Sequence, residues 1–590
     1  MAIEGLAQVR DERKVELGYE IPSENYCDQP YVVVTQDGNW LCVMTTGKGL
    51  ESKPGQHVVA AISEDRGRSW SELIDIEPPA ERMSSWVTAF IVPGGRVFAV
   101  YNLELTDEST QHGGALCYRY SDDGGRSWSA ERYRIPIRQT RLDRENVTDG
   151  REQFFWCIDK PVVNERGVFL GIPKLTEGVP IVSGESWLIH SANAVDERDP
   201  EAIEWQLLPE GDEGITNPEL GRIQEEQNLE FLSDGSIYMV FRTEIGVIGY
   251  TLSRDGGHSW TTPQPVRYPD GRPLKNPRAC PKLGKTSDGR FLLWYHNNGF
   301  PGWGNSAVRN PVWISGGVEA DGDIRWSQPE ILLYASDPTV RGMSYPDFFE
   351  QDGEIWVSET EKMVARVHRI DSLLLAGMWA EHRETAGGPA PVREGLVFEN
   401  DRTVTGGESL EIPRLPGLAS GGFALEAVLE AETLSPGQTV LSSYGVRRRG
   451  FRVSVAENGA LDFELRDSRD RQWLEVLDGA EPSAGVSSRR EWRWRTERDI
   501  LRPGEPLHLV LIVDGLAKVV SVCANGRLLD GGEDRIQGWW RLNHWYDDIN
   551  DQGACAVGEG FAGRIPLLRI YDRYLRTAEA VANYRAWRGA

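Results

Sequence analysis

The chain reads as an all-β protein in two parts, a repeating β-architecture over residues 1–383 and a second β-rich region over 384–590. Three observations predict this. An eight-residue pattern, Ser-x-Asp-x-Gly-x-Ser-Trp, recurs at Ser63 to Trp70, Ser121 to Trp128 and Ser253 to Trp260. Strand-like runs closed by a Gly turn recur at intervals of about 55 to 75 residues, the length of a four-stranded unit with insertions. Beyond residue 383 the eight-residue pattern stops, and apolar residues alternate at period two, as in half-buried antiparallel strands.

Each copy of the pattern has the chemistry of a tight turn between strands. Asp65, Asp123 and Asp255 can accept backbone N–H groups, Gly67, Gly125 and Gly257 can take positive φ, and the Trp closes the turn as an apolar plug. A degenerate fourth copy is expected at Asp321 to Trp326. Six strand starts precede Gly turns: Tyr31 before Asp37-Gly38, Trp86 before Gly94-Gly95, Lys160 before Gly167, Asn228 before Asp234-Gly235, Ala279 before Asp288-Gly289, and Tyr345 before Asp352-Gly353. The insertions between them are where a functional face is built.

The stretch from Thr385 to Arg393 is rich in Gly, Pro and Ala and marks a domain edge. After it come strand signals at Phe423, Phe451, Leu461 and His508, then two strands joined by Asn525-Gly526. A last strand from Gly563 runs into an Ala-rich helix.

A net charge of −26 argues against nucleic acid and anionic membrane as partners. It does not exclude an anionic small substrate, because a local arginine cluster reverses the field inside a pocket. The seven cysteines are scattered, without Cys or His spacing that would hold a metal, and read as buried thiols. No metal and no cofactor is expected. The first residues lack an apolar segment and no 18-residue apolar run occurs, so a soluble chain without a visible export signal is expected.

The turn pattern resembles the Asp-box, or BNR repeat, of the sialidase superfamily. That resemblance implies a six-bladed β-propeller, and the tail resembles the laminin-G-like, concanavalin-type sandwiches appended to carbohydrate enzymes. Sialidases carry a Glu eight residues before the Asp-Gly of a central blade and an Arg eight residues after that Asp. Here these are Glu226 and Arg242 around Asp234. Arg309 fits a second arginine ahead of a strand, and Tyr345 fits the Tyr that opens the last blade, with a one-residue slip. The implied chemistry is a Tyr nucleophile deprotonated by Glu, which avoids the repulsion an anionic substrate would exert on a carboxylate nucleophile. Arginines hold the anion by paired N–H bonds.

Two positions depart from that pattern. Asp28 stands where the first carboxylate-binding arginine belongs, and His57 stands near the place of the acid/base aspartate. Catalytic candidates are therefore Tyr345, Glu226, His57 and Asp28. Arg242, Arg309, Arg278, Asp159, Lys160, His296 and Asp347 at other blade starts and strand ends are the substrate-binding candidates. The resemblance implies a retaining, exo-acting glycoside hydrolase on an acidic or otherwise non-standard glycan rather than on sialic acid in the usual pose. A lyase acting on a uronate-containing polysaccharide and a non-catalytic glycan-binding propeller stay open. The tail reads either as a glycan-binding module or as a structural companion.

Overall fold

The computed structural model describes residues 10–80, 82–105, 113–178, 181–302, 306–337, 342–383, 389–419, 421–467, 491–542, 546–551 and 553–589. The fold is all-β, a six-bladed propeller followed by a two-sheet sandwich. The chain divides into two compact units. One is Glu12–Ser327 with Ile331–Trp379; the other takes in Gln328–Glu330 and Ala380–Ala590.

In the propeller, blade 1 is Tyr26–Val34, Trp40–Gly47, His57–Ser63 and Ile74–Glu77, from channel to rim. Blade 2 follows with Ser84–Ile91, Val97–Leu103, Ala115–Ser121 and Tyr133–Arg134. Blade 3 has a split inner strand, Phe154–Phe155 and Val162–Asn164, both paired to Gly167–Leu175, and then Gly184–Ser191 and Gln206–Leu208. Blade 4 is Glu225–Phe231, Ile237–Arg242, Ile248–Ser253 and Gln264–Pro265, and blade 5 is built on Lys282–Lys285, Phe291–Tyr295, Val312–Ala320 and Asp323–Trp326. Blade 6 takes Ser344–Gln351, Glu354–Thr360 and Ala365–Arg369 from late in the propeller and its outermost strand, Tyr19–Ile21, from the start. Neighbouring inner strands meet around the ring, and blade 6 meets blade 1, so the circle is closed.

The three repeated turns fold alike. In each, the first Ser hydroxyl bonds the Asp carboxylate (3.0, 2.7 and 2.9 Å) and accepts the N–H of the pattern's Gly (2.7, 2.8 and 2.8 Å). The Asp in turn accepts both N–H and O–H of the second Ser. These contacts hold the carboxyls below the usual carboxylate range, Asp255 at about 2. The half-buried Trp of each turn lies against a cluster shared by two blades: Trp70 on blades 6 and 1, Trp128 on 1 and 2, Trp260 on 3 and 4. The stretch at Asp321 to Trp326 departs from expectation. It is a two-residue hairpin turn, Ala320 facing Asp323, with Asp321 and Gly322 both at positive φ, and Trp326 is wholly buried in blade 5.

The second unit has two sheets. The larger runs in the order Leu396–Asn400, Gly563–Tyr571, Phe423–Ala431, Leu507–Asp514, Val519–Ala524 and Arg527–Leu528, with Val404–Thr405 and Trp540–Arg541 added at its margins. The smaller is Ser409–Glu411, Ala554–Val557, Thr439–Ser442, Gly450–Val455, Leu461–Arg466 and Glu491–Arg495. Asn525 and Gly526, both at positive φ, make the tight turn expected of that dipeptide. The buried core between the sheets is drawn from residues 404–570, with half-buried Phe398 packed against it. The Ala-rich segment is the helix Thr577–Gly589. Part of the Gly/Pro-rich edge, residues 384–388, lies outside the described residues. Among the described residues no helix is long and apolar enough to cross a membrane.

Candidate functional site

Four inner strands carry the same local irregularity. The pairing register slips between Asp28 and Tyr31 in blade 1, Ser85 and Thr88 in blade 2, Glu225 and Asn228 in blade 4, and Ser344 and Asp347 in blade 6. Each slip is a β-bulge with one extra residue, which re-aims a side chain. The bulged residue in each case has positive φ: Gln29 (51°), Trp86 (53°), Glu226 (54°) and Tyr345 (45°). Non-glycine residues in this region are strained, and such strain concentrates at functional sites.

The bulges bring blade 6 to blade 4 across the mouth of the channel. Tyr345 donates its phenolic O–H to Glu226 Oε1 at 3.0 Å, although a whole blade separates their strands. Arg242 lies 2.8 Å from the same Glu226 oxygen and also bonds Glu225 Oε1 at 2.6 and 2.9 Å. Arg278 ion-pairs with Glu225 from the other side. Arg309, at the end of the short 3-10 helix Ser306–Arg309, donates to Ser344 Oγ at 2.8 Å and to the Arg278 carbonyl at 3.2 Å. Two carboxylates and three guanidiniums are thus interleaved around one phenol.

Burial sets the electrostatics. It pushes the Glu226 carboxyl up, Arg242 opposing and Glu225 adding to the rise. It also pushes the Tyr345 hydroxyl up, Glu226 adding while Lys362 and Arg242 oppose. Arg278 falls to about 10 from burial and from its neighbour Arg242. On the remaining side Tyr345 packs on an apolar cluster that includes Trp86, Phe154, Trp156, Ile181 and Ile223. A phenol bonded to a carboxylate, with cations beside it and an aromatic wall next to it, can transfer a proton and hold a sugar face.

The other sequence candidates divide by position. Asp28 is fully buried beside this group, bonded to Tyr26 Oη at 2.9 Å and Lys362 Nζ at 2.7 Å. His296, buried beside Arg309, is lowered to about 3 by burial and that cation, which leaves it neutral. His57 is not brought to Tyr345. It starts the third strand of blade 1 and faces the rim, with Nδ1 3.0 Å from the Gly55 carbonyl and Nε2 3.4 Å from Asp75 on the outermost strand. Lys160 and Asp347 meet each other at 2.7 Å deeper in the channel and also bind Val32, which ties blades 3, 6 and 1. Asp159 accepts the Gly171 N–H at 2.8 Å, and burial lifts it to about 8. Lys160 and Asp347 thus tie inner strands together and Asp159 holds the second strand of its own blade, and none of the three bonds to the Tyr345 group.

Glu225, Gln29, Trp86 and Lys362 were not among the residues singled out as site members. Gln29, Trp86 and Glu226 all stand eight residues before a turn pair, Asp37-Gly38, Gly94-Gly95 and Asp234-Gly235, so a common spacing could have found them. By register, Gln29 is the blade 1 counterpart of Glu226 and Tyr345, and Asp28 is the counterpart of Glu225 and Ser344. Among the described residues no group of three or more His, Cys, Asp or Glu side chains could hold a metal ion.

The architecture and the bulged site define a propeller of repeat type, and a BNR repeat-like domain model matches residues 171–357. No curated protein sequence matches the chain. Among solved structures it is similar to Trypanosoma rangeli sialidase in complex with sialic acid, at 12% identity over 96% of this chain and 94% of that one, with a TM-score of 0.43. A protein of unknown function from Dyadobacter fermentans matches at 14% over 61% of this chain and 99% of its own, TM-score 0.43. The intramolecular trans-sialidase from Ruminococcus gnavus in complex with oseltamivir carboxylate matches at 12% over 59% and 95%, TM-score 0.41.

Proposed function

We propose that the chain is a sialidase-like glycoside hydrolase that acts with retention on an anionic glycan, with Tyr345 as nucleophile and Glu226 as its base. The observation that carries this reading is the 3.0 Å hydrogen bond from Tyr345 to Glu226, made by two strained bulges on non-adjacent blades. In the first step the phenolic proton passes to Glu226, the phenolate oxygen bonds the anomeric carbon, and the bond to the leaving oxygen breaks as that oxygen takes a proton. Water then attacks the same carbon and loses a proton to solvent as its oxygen bonds, the bond from that carbon to the Tyr345 oxygen breaks, and the phenol takes back the proton held on Glu226. Of the two donor candidates, Asp28 and not His57 lies beside Tyr345, where it is ion-paired with Lys362. Arg309 supports an anionic substrate: its half-buried guanidinium adds positive charge beside Glu226 and bonds only neutral oxygens among the described residues, Ser344 Oγ and the Arg278 carbonyl.

The test is a panel of acidic and neutral glycans, assayed for released sugar with wild type, Tyr345→Phe, Glu226→Gln and the double variant. On the responsive glycan each single variant should lose about 10²- to 10⁴-fold in turnover, and the double little more, because the pair acts as a unit. Near-wild-type turnover by Tyr345→Phe would remove the phenol from the chemistry. An unsaturated uronate among the products would convert the reaction to elimination.

A further inference from the structure

A lysine on a strained turn stands over the Tyr345 ring. Lys362 connects Glu354–Thr360 to Ala365–Arg369 in blade 6, and its φ is 72°. Glycine or asparagine would take that conformation with less strain. Its backbone is fixed on both sides: the N–H donates to Thr360 Oγ1 at 2.8 Å, and the carbonyl accepts the Cys27 N–H of blade 1 at 3.0 Å. The side chain, largely buried, runs back over the site. Nζ stands 4.4 Å from the centroid of the Tyr345 ring, 2.7 Å from Asp28 Oδ2 and 3.2 Å from Glu51 Oε1.

We propose that Lys362 is a positioning residue for the phenolate of Tyr345, and that the Asp28–Lys362 pair sets how readily Tyr345 ionises. The proposal deepens the hydrolase reading and rests on it for its purpose. A cation over an aromatic face is attracted to the ring, and far more strongly once the ring carries a negative charge in a site poor in water. A cation thus stands over the ring, carried by blade 6 and anchored by Asp28 of blade 1.

Several other groups face Tyr345. From blade 4, Glu226 accepts its proton and Arg242 balances Glu226. From blade 1 come Asp28 and Tyr26, with Glu51 beyond them. Arg309 reaches its chain neighbour Ser344, and Cys280 lies in the apolar cluster, its thiol kept protonated by burial. Glu226 and Asp28 hold the phenol up, whereas Lys362 and Arg242 draw it down. Arg242 and Lys362 each face two carboxylates, and Lys362 is the one that stands over the face of the ring.

The experiment replaces Tyr345 with 3,5-difluorotyrosine, whose ring fluorines make the phenol more acidic than tyrosine's, and follows its ¹⁹F resonance against pH in the full chain without substrate. Lys362→Met should move the midpoint up by about one pH unit or more. Lys362→Arg should keep it within about a third of a unit, and Asp28→Asn should move it down. A lysine that only neutralised Asp28 would leave the midpoint where it is. An unchanged midpoint in both Lys362→Met and Asp28→Asn overturns the proposal. If Lys362→Met does not fold, Asp28→Asn decides, since it keeps the lysine: a fall supports the proposal and no change sinks it. The midpoint is read without any glycan, so absence of turnover on the glycan panel counts against the hydrolase reading alone.

Discussion

Asp28 and Glu359 show how a buried carboxyl takes its meaning from its partners. Asp28 is held by Lys362, so the first-blade side of the site presents an ion pair where a sialic-acid carboxylate would need a cation. Turnover of 4-methylumbelliferyl sialic acid should accordingly be far below that of an ordinary sialidase, and comparable rates would show that the pair opens on binding. Glu359 lies wholly buried in blade 6, 3.3 Å from His368 Nε2, and burial lifts it to about 8 despite Arg366. Its native pKa exceeds the unfolded value, so between about pH 4.5 and 8 the native state keeps a proton that the unfolded chain releases. Its contribution is complete at low pH and is lost as pH rises through that window. Glu359→Gln should therefore raise the melting temperature by a few degrees at pH 9 and change it little at pH 5. An equal shift at both pH values would mean that Glu359 does not titrate there. Residue by residue, Glu226 and Arg242 were legible from their distances to Asp234-Gly235, Tyr345 from Asp352-Gly353 with a one-residue slip, and Arg309 from its place ahead of a strand. Lys362 and Glu225 were not, because their importance arises from blades that meet only in three dimensions.

The repeated turn works between blades as much as within one. An added Cβ at Gly257, where φ is 102°, would stand 2.5 Å from Leu188 Cδ2 of blade 3. Its neighbour Gly256, at φ 81°, has nothing within 4 Å. The two glycines share one turn and one kind of backbone strain but differ in crowding. Gly256→Ala should cost about 1 kcal/mol from conformation alone, and Gly257→Ala about 1–3 kcal/mol more from overpacking. Thermal melts of the two variants measure the difference directly, and equal losses would show that the turn does not press on blade 3. The sequence pattern located these turns because Ser, Asp and Gly each satisfy a local backbone demand. The degenerate stretch at Asp321 has an Asp, a Gly and a Trp but lacks the Ser that accepts the glycine N–H, and it folds as a plain hairpin.

At the scale of the whole chain, the two β-systems have separate cores. The sandwich core is drawn from residues 404–570, and the core clusters of the propeller lie within residues 15–379. A chain ended after Arg383 should remain soluble and melt cooperatively, with Tyr345, Glu226 and the arginines still present. Aggregation or a broad, non-cooperative melt would show that the propeller depends on residues 384–590 for its stability. Retained folding with weakened binding to a polymeric glycan would assign the sandwich a role in holding substrate. Composition points to an edge near residue 383, and the contacts divide the chain between Trp379 and Ala380; that the strip Gln328–Glu330 goes with the later unit was not legible, since three residues carry no periodicity.

The ring is fastened by Tyr19–Ile21 pairing with Ala365–Val367. On the ribosome the first of these segments emerges roughly 340 residues before the second, about 20 to 70 s earlier at ordinary rates of synthesis. During that interval blades 1 to 5 can assemble in order of appearance, but of the sixth only the outermost strand exists for most of the time, and it has nothing to pair with. Completion of the circle is thus the last event of propeller biogenesis. For that time the nascent chain carries an unpaired strand that neighbouring polypeptides on the same message could capture.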